Sequence, residues 1–342
     1  FEYLPTSGRI LLIFCKWKIM KITLYHYALP CQTGVVLRKQ PLSIREGLII
    51  QLNQQGKIGL GEIAPLPGFS QESLKEAQSA AIQWALEPHS LWDQLPPSVA
   101  FGISCAFAEL HGELGSESNF QSAILCDGNF ATFSEKIAQQ SQPLGKIKVG
   151  FNHKQEGNLA NQLFEQFPHL TLRLDANRAW NLSQAVEFAE QIAKPHRSRI
   201  QFIEEPCQLP AQSLQFAAQT GIAIAWDETV RESKFCMQKA ENLNAIVLKP
   251  TLIGSLNKCI NLIKQAHQLG LNAVISSSIE STLGLSQLAR IAQQYTPNMA
   301  PGLDTATLMQ HQLLRPFAHT NLPLVGFDSA YLQEIPLCAS GK

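Results

Sequence analysis

Residues 170–177 read LTLRLDAN. Side chains alternate between the two faces of an extended strand, so Leu172 and Leu174 share one face and Arg173 and Asp175 the other. The stretch is therefore a strand with one apolar face and an acid at its end. Six further runs follow the same plan: SAILCD, GKIKVG, IQFIEEP, GIAIAWDET, NAIVLKP and NAVISSS. Amphipathic stretches such as SQAVEFAEQIA, SLNKCINLIKQAHQLG and LGLSQLARIAQQY lie between them. Regular strand–helix alternation predicts an α/β fold with a parallel sheet. Seven or eight units suit a closed (β/α) TIM-type barrel. An open doubly wound sheet is the alternative, but no GxGxxG follows an early strand, where such a sheet carries its phosphate turn.

The unusual side chains collect where these strands end. Lys148, Asp175, Glu204, Asp227, Lys249 and the run Ser276, Ser277 and Ser278 follow one another at intervals of 22 to 29 residues, each about one βα unit. Barrel active sites are built at that C-terminal mouth from several strands. Strand parity groups Asp227 with Ala223 and Ala225, and Lys249 with Ala245 and Val247, so the inward set is small until a charge appears. Three acids on consecutive strands repel one another unless a cation sits among them. All-oxygen donors favour a hard ion, Mg²⁺ above all, and no histidine accompanies them as zinc would prefer. Two acids come as doublets, Glu204–Glu205 and Asp227–Glu228. Parity selects Asp227, whereas Glu204 falls with Phe202, and that choice stays open.

In GKIKVG the two lysines, Lys146 and Lys148, share a face opposite Ile147 and Val149. A free lysine is a poor base at neutral pH. A neighbouring ammonium, a nearby cation and partial burial all favour the neutral amine, which makes a usable general base. Lys148 is the expected base. Lys146 is either its tuner or a snorkelling, paired lysine. Lys249 comes from the far side of the acid trio and approaches a bound substrate from the opposite face.

The chain has 342 residues, with 27 basic and 27 acidic side chains and a formal net charge of zero. That balance provides no nucleic-acid footprint. No apolar run is long enough to span a membrane. The eight cysteines are scattered without a CxxC pair, as in a cytosolic protein with reduced thiols, and a catalytic cysteine is unsupported. Before the barrel pattern, KITLYHYAL, EGLIIQLN and KIGLGEIAPL read as strands. Ser73 and Glu76 form a capping-box signature before SLKEAQSAAIQWAL, and PSVAFGISCAFAEL is a second helix. Met20 is expected to open the domain. Residues 1–19 read as an extension, with an extra strand or helix as the alternative.

The sequence K-x-K, D-x-N, E-E-P, D-E-T and K-P on successive strands resembles the enolase superfamily, muconate-lactonizing branch. Within it the chain is most similar to the o-succinylbenzoate synthase family. The resemblance is carried by GVVLRKQPLSIREGL (34–48), GEIAPLPGFSQES (61–73), KIKVG (146–150), LRLDANRAW (172–180), FIEEPC (202–207), WDET (226–229), LKP (248–250), SSSIESTLGL (276–285) and PGLDT (301–305). It covers residue 20 to about residue 326 and leaves residues 1–19 unmatched. It implies an α+β capping domain over residues 20–118, a barrel over 119–310 and a segment, 311–342, that returns to the cap. Loops 34–45 and 64–70 of the cap would close over the substrate.

The same resemblance implies roles. Asp175, Glu204 and Asp227 would bind Mg²⁺, with Mn²⁺ as a substitute. The reaction would be syn-dehydration of 2-succinyl-6-hydroxy-2,4-cyclohexadiene-1-carboxylate to o-succinylbenzoate in menaquinone biosynthesis, through an enediolate that the metal stabilises. Lys148 would take the α-proton and return it to the departing hydroxyl, and Lys249 would stabilise the enediolate. Ser276 and the backbone at Gly302 would contact the succinyl tail, with Arg173 and Asn177 as support. The partner would be a small molecule, with no nucleic acid or membrane, and the protein a cytoplasmic monomer. Racemisation of N-acylamino acids and dipeptide epimerisation are the rivals, although PGLDT offers Asp304 alone where an epimerase shows D-x-D. A non-catalytic binder would have lost one of the five charges, and none is missing.

Overall fold

The computed structural model describes residues 20–37, 40–115, 121–126, 128–318 and 320–337; the expected extension over residues 1–19 lies outside this range. Strand β1 (Met20–Pro30) pairs antiparallel with β2 (Ile44–Gln54) along its whole length. A two-residue turn joins β2 to β3 (Lys57–Ile63). Gln55 and Gly56 hold φ of 53° and 80° there, the left-handed pair a tight hairpin requires. Helix α1 (Leu74–Leu86) starts at the full capping box of Ser73 and Glu76.

Helix α2 (Pro97–Leu110) packs against β3 at backbone contact. A Cβ on Gly61 would fall 1.8 Å from the carbonyl oxygen of Gly102, and one on Gly59 2.0 Å from that of Ala106. The small-residue run of α2 is thus what lets the helix lie on the sheet.

The parallel sheet runs β4 (Ile124–Cys126), β5 (Leu144–Lys148), β6 (Thr171–Asp175), β7 (Ile200–Glu204), β8 (Ile224–Trp226), β9 (Leu243–Leu248) and β10 (Asn272–Ile275), each paired with the next. Helices α3 (Phe130–Ala138), α4 (His153–Gln166), α5 (Leu182–Glu190), α6 (Pro210–Thr220), α7 (Leu256–Gln268) and α8 (Thr282–Tyr295) follow their strands. Pro301 and Gly302 serve as the eighth stave. Gly302 bridges to Ser276 in parallel, and the Pro301 carbonyl accepts the N–H of Ala123 at 3.0 Å. The sheet is therefore closed.

Alternation sorts the barrel into two layers. Leu172, Leu174, Ile203, Ile224, Ile246 and Leu248 pack outward on the helices. Phe202, Ala225, Ala245, Val247 and Val274 fill the interior. Strand β11 (Leu332–Ile335) returns to pair antiparallel with β1, so the chain's last described strand completes the cap sheet.

Candidate active site

The registered parallel pairing sets the site. Lys148 lies beside Asp175, and Asp175 beside Glu204, at one level of the barrel. Asp227 follows β8 and Lys249 follows β9, where Lys249 precedes a single helical turn, Pro250–Ile253. All three acids are buried.

The two lysines of GKIKVG part company. Lys146 is buried, with Nζ 2.6 Å from Glu204 Oε2 and 3.1 Å from Asp175 Oδ2. Burial works against its cation, but Asp175 and Glu204 outweigh burial and hold its pKa above the ordinary lysine range. Lys148 stays open at the mouth. Partial desolvation of its ammonium among the surrounding walls, reinforced by Lys146 and Lys249 against the pull of Asp175, lowers its pKa. Lys249 makes a short ion pair with Asp227. Desolvation opposes that cation too, yet Asp227 and Asp175 raise its pKa. Lys148 was the expected base, with Lys146 as its tuner or a paired lysine. Of the three, only Lys148 is shifted toward neutrality, and it alone has no close carboxylate contact among the described ion pairs.

The acids respond in kind. Burial would raise Asp175, but Lys146 and Lys249 lower it to about 2. Glu204 is pushed up by burial, with Asp175 and Asp227 adding to the effect. Asn177, at φ 46°, donates from Nδ2 to Asp175 Oδ1 at 2.8 Å and fixes that carboxylate.

The open doublet resolves in three dimensions. Glu204 meets Lys146, while Glu205 turns away at φ 42° and is fully buried. Its Oε1 accepts the N–H groups of Asp227 and Thr229 at 3.0 and 2.8 Å, and its Oε2 lies 3.1 Å from Arg178 Nε. Glu204 is thus the acid of the mouth and Glu205 the brace of the next loop.

Among the described residues, no three His, Cys, Asp or Glu groups form a ready-made cation cluster. The ammonium groups of Lys146 and Lys249 sit against the oxygens such an ion would use. One observation still fits a cation: Asp227 Oδ1 is buried and accepts no hydrogen bond, with Arg231 Nη2 at 3.6 Å as its ion-pair neighbour. A buried acceptor without a hydrogen bond carries a desolvation penalty that a close ion would relieve. Asp175, Glu204 and Asp227 are the residues that could hold a hard divalent ion.

A cavity of about 120 Å³ lies over this constellation, bounded by Lys148, Asp175, Asn177, Lys249, Ser276 and Gly302. A Cβ on Gly302 would stand 3.0 Å from Ser276 Oγ, so the eighth stave approaches closely there. A larger space of about 850 Å³ continues outward from Lys148 between Val35–Leu37 of the cap and the Phe130 and Phe151 side. Arg173 does not border either cavity. Its guanidinium lies 5.2 Å from the Phe202 ring centroid and donates to the Ala300 carbonyl at 2.7 Å, bracing the eighth stave from beneath. Burial lowers its pKa to about 10.

Sequence reasoning passed over three buried charges at the cap–barrel junction: Arg45, Glu62 and Glu109. Glu62 accepts from Tyr27, from the Ser281 N–H and hydroxyl, and from the Gly284 N–H. Their one signal was an ionic residue in an otherwise apolar strand or helix. Leu66, Phe69 and Ile279 also border the smaller cavity. No helix among the described residues is long and apolar enough to cross a membrane.

A capped barrel whose mouth carries three consecutive acids flanked by lysines is the architecture of an enolase-type enzyme. The family model described as enolase C-terminal domain-like matches residues 132–319, and the model described as MenC, N-terminal domain, matches residues 19–110. The o-succinylbenzoate synthase of Haemophilus influenzae is 50% identical over 322 residues, covering 91% of this chain and 98% of that protein. That of Pasteurella multocida is 51% identical over 334 residues, covering 93% and 99%. The chain belongs to the o-succinylbenzoate synthase family. In fold it is similar to the o-succinylbenzoate synthase from Thermosynechococcus elongatus complexed with Mg in the active site, with a TM-score of 0.66, 22% identity and coverage of 83% and 92%. The L-Ala-D/L-Glu epimerase from Bacillus subtilis superposes with a TM-score of 0.70 at 19% identity, covering 85% and 91%.

Proposed function

We propose that this protein is a hydro-lyase that dehydrates 2-succinyl-6-hydroxy-2,4-cyclohexadiene-1-carboxylate to o-succinylbenzoate in menaquinone biosynthesis. The observation that carries the reading is the division among the lysines: Lys146 pairs with Glu204 and Lys249 with Asp227, while Lys148 borders the cavity with no ion pair among those described. The family's roughly 50% identity over most of the chain supports the same reaction.

Asp175, Glu204 and Asp227 would hold Mg²⁺, or Mn²⁺ in its place. When bound, the ion supplies positive charge opposite the substrate carboxylate. Lys148 Nζ, in its amine form, removes the proton from the carbon bearing that carboxylate. Lys249 faces the developing enediolate as a fixed cation. Lys148 then passes its proton to the hydroxyl leaving from the same face, so one C–H and one C–O bond break, a ring double bond forms and water departs. Lys146 keeps Asp175 and Glu204 in place and depresses the pKa of Lys148. Ser276 and the Gly302 backbone receive the succinyl tail, Asn177 orients Asp175, and Arg173 steadies the Gly302 stave through Ala300.

Epimerisation draws no support from Asp304. Its Oδ2 already accepts the Leu125 N–H at 3.1 Å. We also read the chain as a cytoplasmic monomer acting on a small molecule, which size-exclusion chromatography tests in part. The deciding assay follows o-succinylbenzoate by ultraviolet absorbance with and without Mg²⁺, beside racemisation of an N-succinylamino acid. Mg²⁺-dependent product formation is expected; racemisation without dehydration would overturn the reading.

A further inference from the structure

Arg45 is a buried cation that the dehydration does not use. It is the second residue of β2, is 1% exposed, and among the described residues its guanidinium hydrogen-bonds only main-chain carbonyls. Nε donates to Ile279 at 2.8 Å, Nη1 to Glu46 and Pro65 at 2.8 and 2.9 Å, and Nη2 to Ala64 and Ser278 at 2.7 and 3.5 Å. Five N–H donors thus have five acceptors, which is the condition for burying a guanidinium. Apart from Glu46 beside it, these acceptors come from two segments far apart in sequence. One is the start of the cap loop that continues into Leu66 and Phe69. The other is the turn after β10.

Both segments border the small cavity, through Leu66 and Phe69 from the cap and Ser278 and Ile279 from the barrel. Ile279 is the anomaly. It holds φ 58°, a left-handed conformation that a β-branched side chain resists. Such strain persists only where surrounding contacts over-determine it. Arg45 Nε grips the Ile279 carbonyl, and Glu280 secures the same turn by accepting from the Ser278 N–H and the Thr251 hydroxyl. An ammonium could not substitute, since it presents three donors from one point and not a planar fork.

We propose that Arg45 is a positioning residue that locks Leu66 and Ile279 into one apolar wall, and that this wall selects the substrate's acyl tail. The proposal rests on the dehydratase reading above. The charged side of the cavity, Lys148, Asp175 and Lys249, suits the carboxylate-bearing ring. The Leu66–Phe69–Ile279 side is left for the methylenes of the tail.

Steady-state kinetics of wild type, Arg45→Lys, Ile279→Gly and the double variant test it. Arg45→Lys is expected to raise KM about ten-fold while kcat stays within about three-fold, the mark of lost binding without lost chemistry. Glycine adopts φ 58° without restraint, so in the Ile279→Gly background the same Arg45→Lys change is expected to raise KM less than about three-fold. A KM unchanged by Arg45→Lys, a loss confined to kcat, or a penalty carried over in full overturns the proposal. Should Arg45→Lys fail to fold, Ile279→Gly alone decides: KM about ten-fold higher supports the wall, and an unchanged KM refutes it. Hydrogen exchange of the ligand-free protein separates this idea from the dehydratase reading. Amides of 64–70 and 278–280 are expected to exchange faster together in Arg45→Lys, and acceleration of one segment alone would sink the coupling even if wild type makes no o-succinylbenzoate.

Discussion

The carboxylate of Glu205 accepts the backbone N–H of Asp227 at 3.0 Å, although the two residues lie on successive barrel units. The same oxygen takes the Thr229 N–H, and Arg178 neutralises its partner. The loop that presents Asp227 is therefore shaped by the strand before it. Glu205→Ala would strand two buried N–H groups and leave Arg178 with Glu232 and the Thr229 hydroxyl as its partners. Removing one partner of a buried charged network costs about 3–5 kcal/mol. We expect that loss in urea denaturation, together with weaker Mn²⁺ binding by electron paramagnetic resonance. Wild-type values in both measurements would rule out the brace.

Lys148 carries the proton in the proposed chemistry. Lys148→Ala should reduce kcat about 10²–10⁴-fold, the usual share of a general base. Lys148→Arg should be equally inactive, because a guanidinium does not deprotonate. Mn²⁺ affinity should survive both changes. Turnover by Lys148→Ala at the wild-type rate would assign the base elsewhere.

The cap has no room between β3 and α2. Gly61→Ala places a methyl 1.8 Å from the Gly102 carbonyl oxygen, which only backbone displacement relieves. Overpacking of this kind costs about 1–3 kcal/mol or more. Gly112→Ala is the control: φ is 71° but nothing lies within 4 Å, so the cost is only about 1–2 kcal/mol of left-handed strain. Calorimetric midpoints should rank wild type above Gly112→Ala and that above Gly61→Ala.

Glu109 on α2 ties the cap to the barrel. Its Oε2 lies 2.6 Å from Arg315 Nη2, its Oε1 2.8 Å from Gln287 Nε2, and Arg290 joins them. Burial alone would raise its pKa, but Arg315, Gln287 and Arg290 lower it below the usual carboxylate value. A carboxylate lowered on folding contributes stability above its unfolded pKa and loses it as pH falls through the folded one. Glu109→Gln should therefore be destabilised at pH 7, and the gap to wild type should narrow as pH drops below about 4.5. An equal gap at pH 7 and pH 3 in denaturant melts would refute the linkage.

Much of this was legible in the chain. Parity along LTLRLDAN, GIAIAWDET and NAIVLKP correctly separated the helix-packing face from the interior, since alternation is a property of each strand alone. The strand ends placed Lys148, Asp175, Asp227, Lys249 and one of the pair Glu204 and Glu205 at one rim. Alternation also put Lys146 and Lys148 on one face, but had no means of telling which would find a carboxylate. That depends on how far below the rim each lies: Lys146 reaches across to Glu204, and Lys148 does not.

By itself, then, the sequence determined the barrel, its cap elements and the charged mouth, because hydrophobic period and turn chemistry act over a few residues. Tertiary structure alone decided which glutamate of the doublet faces the mouth, that Pro301 and Gly302 close the barrel, and that Arg45, Glu62 and Glu109 join cap to barrel. Each of those outcomes depends on groups brought together from distant parts of the chain or on the turn of one backbone unit. A buried charge keeps its place only where folding delivers its partners, and no local pattern records where they will come from.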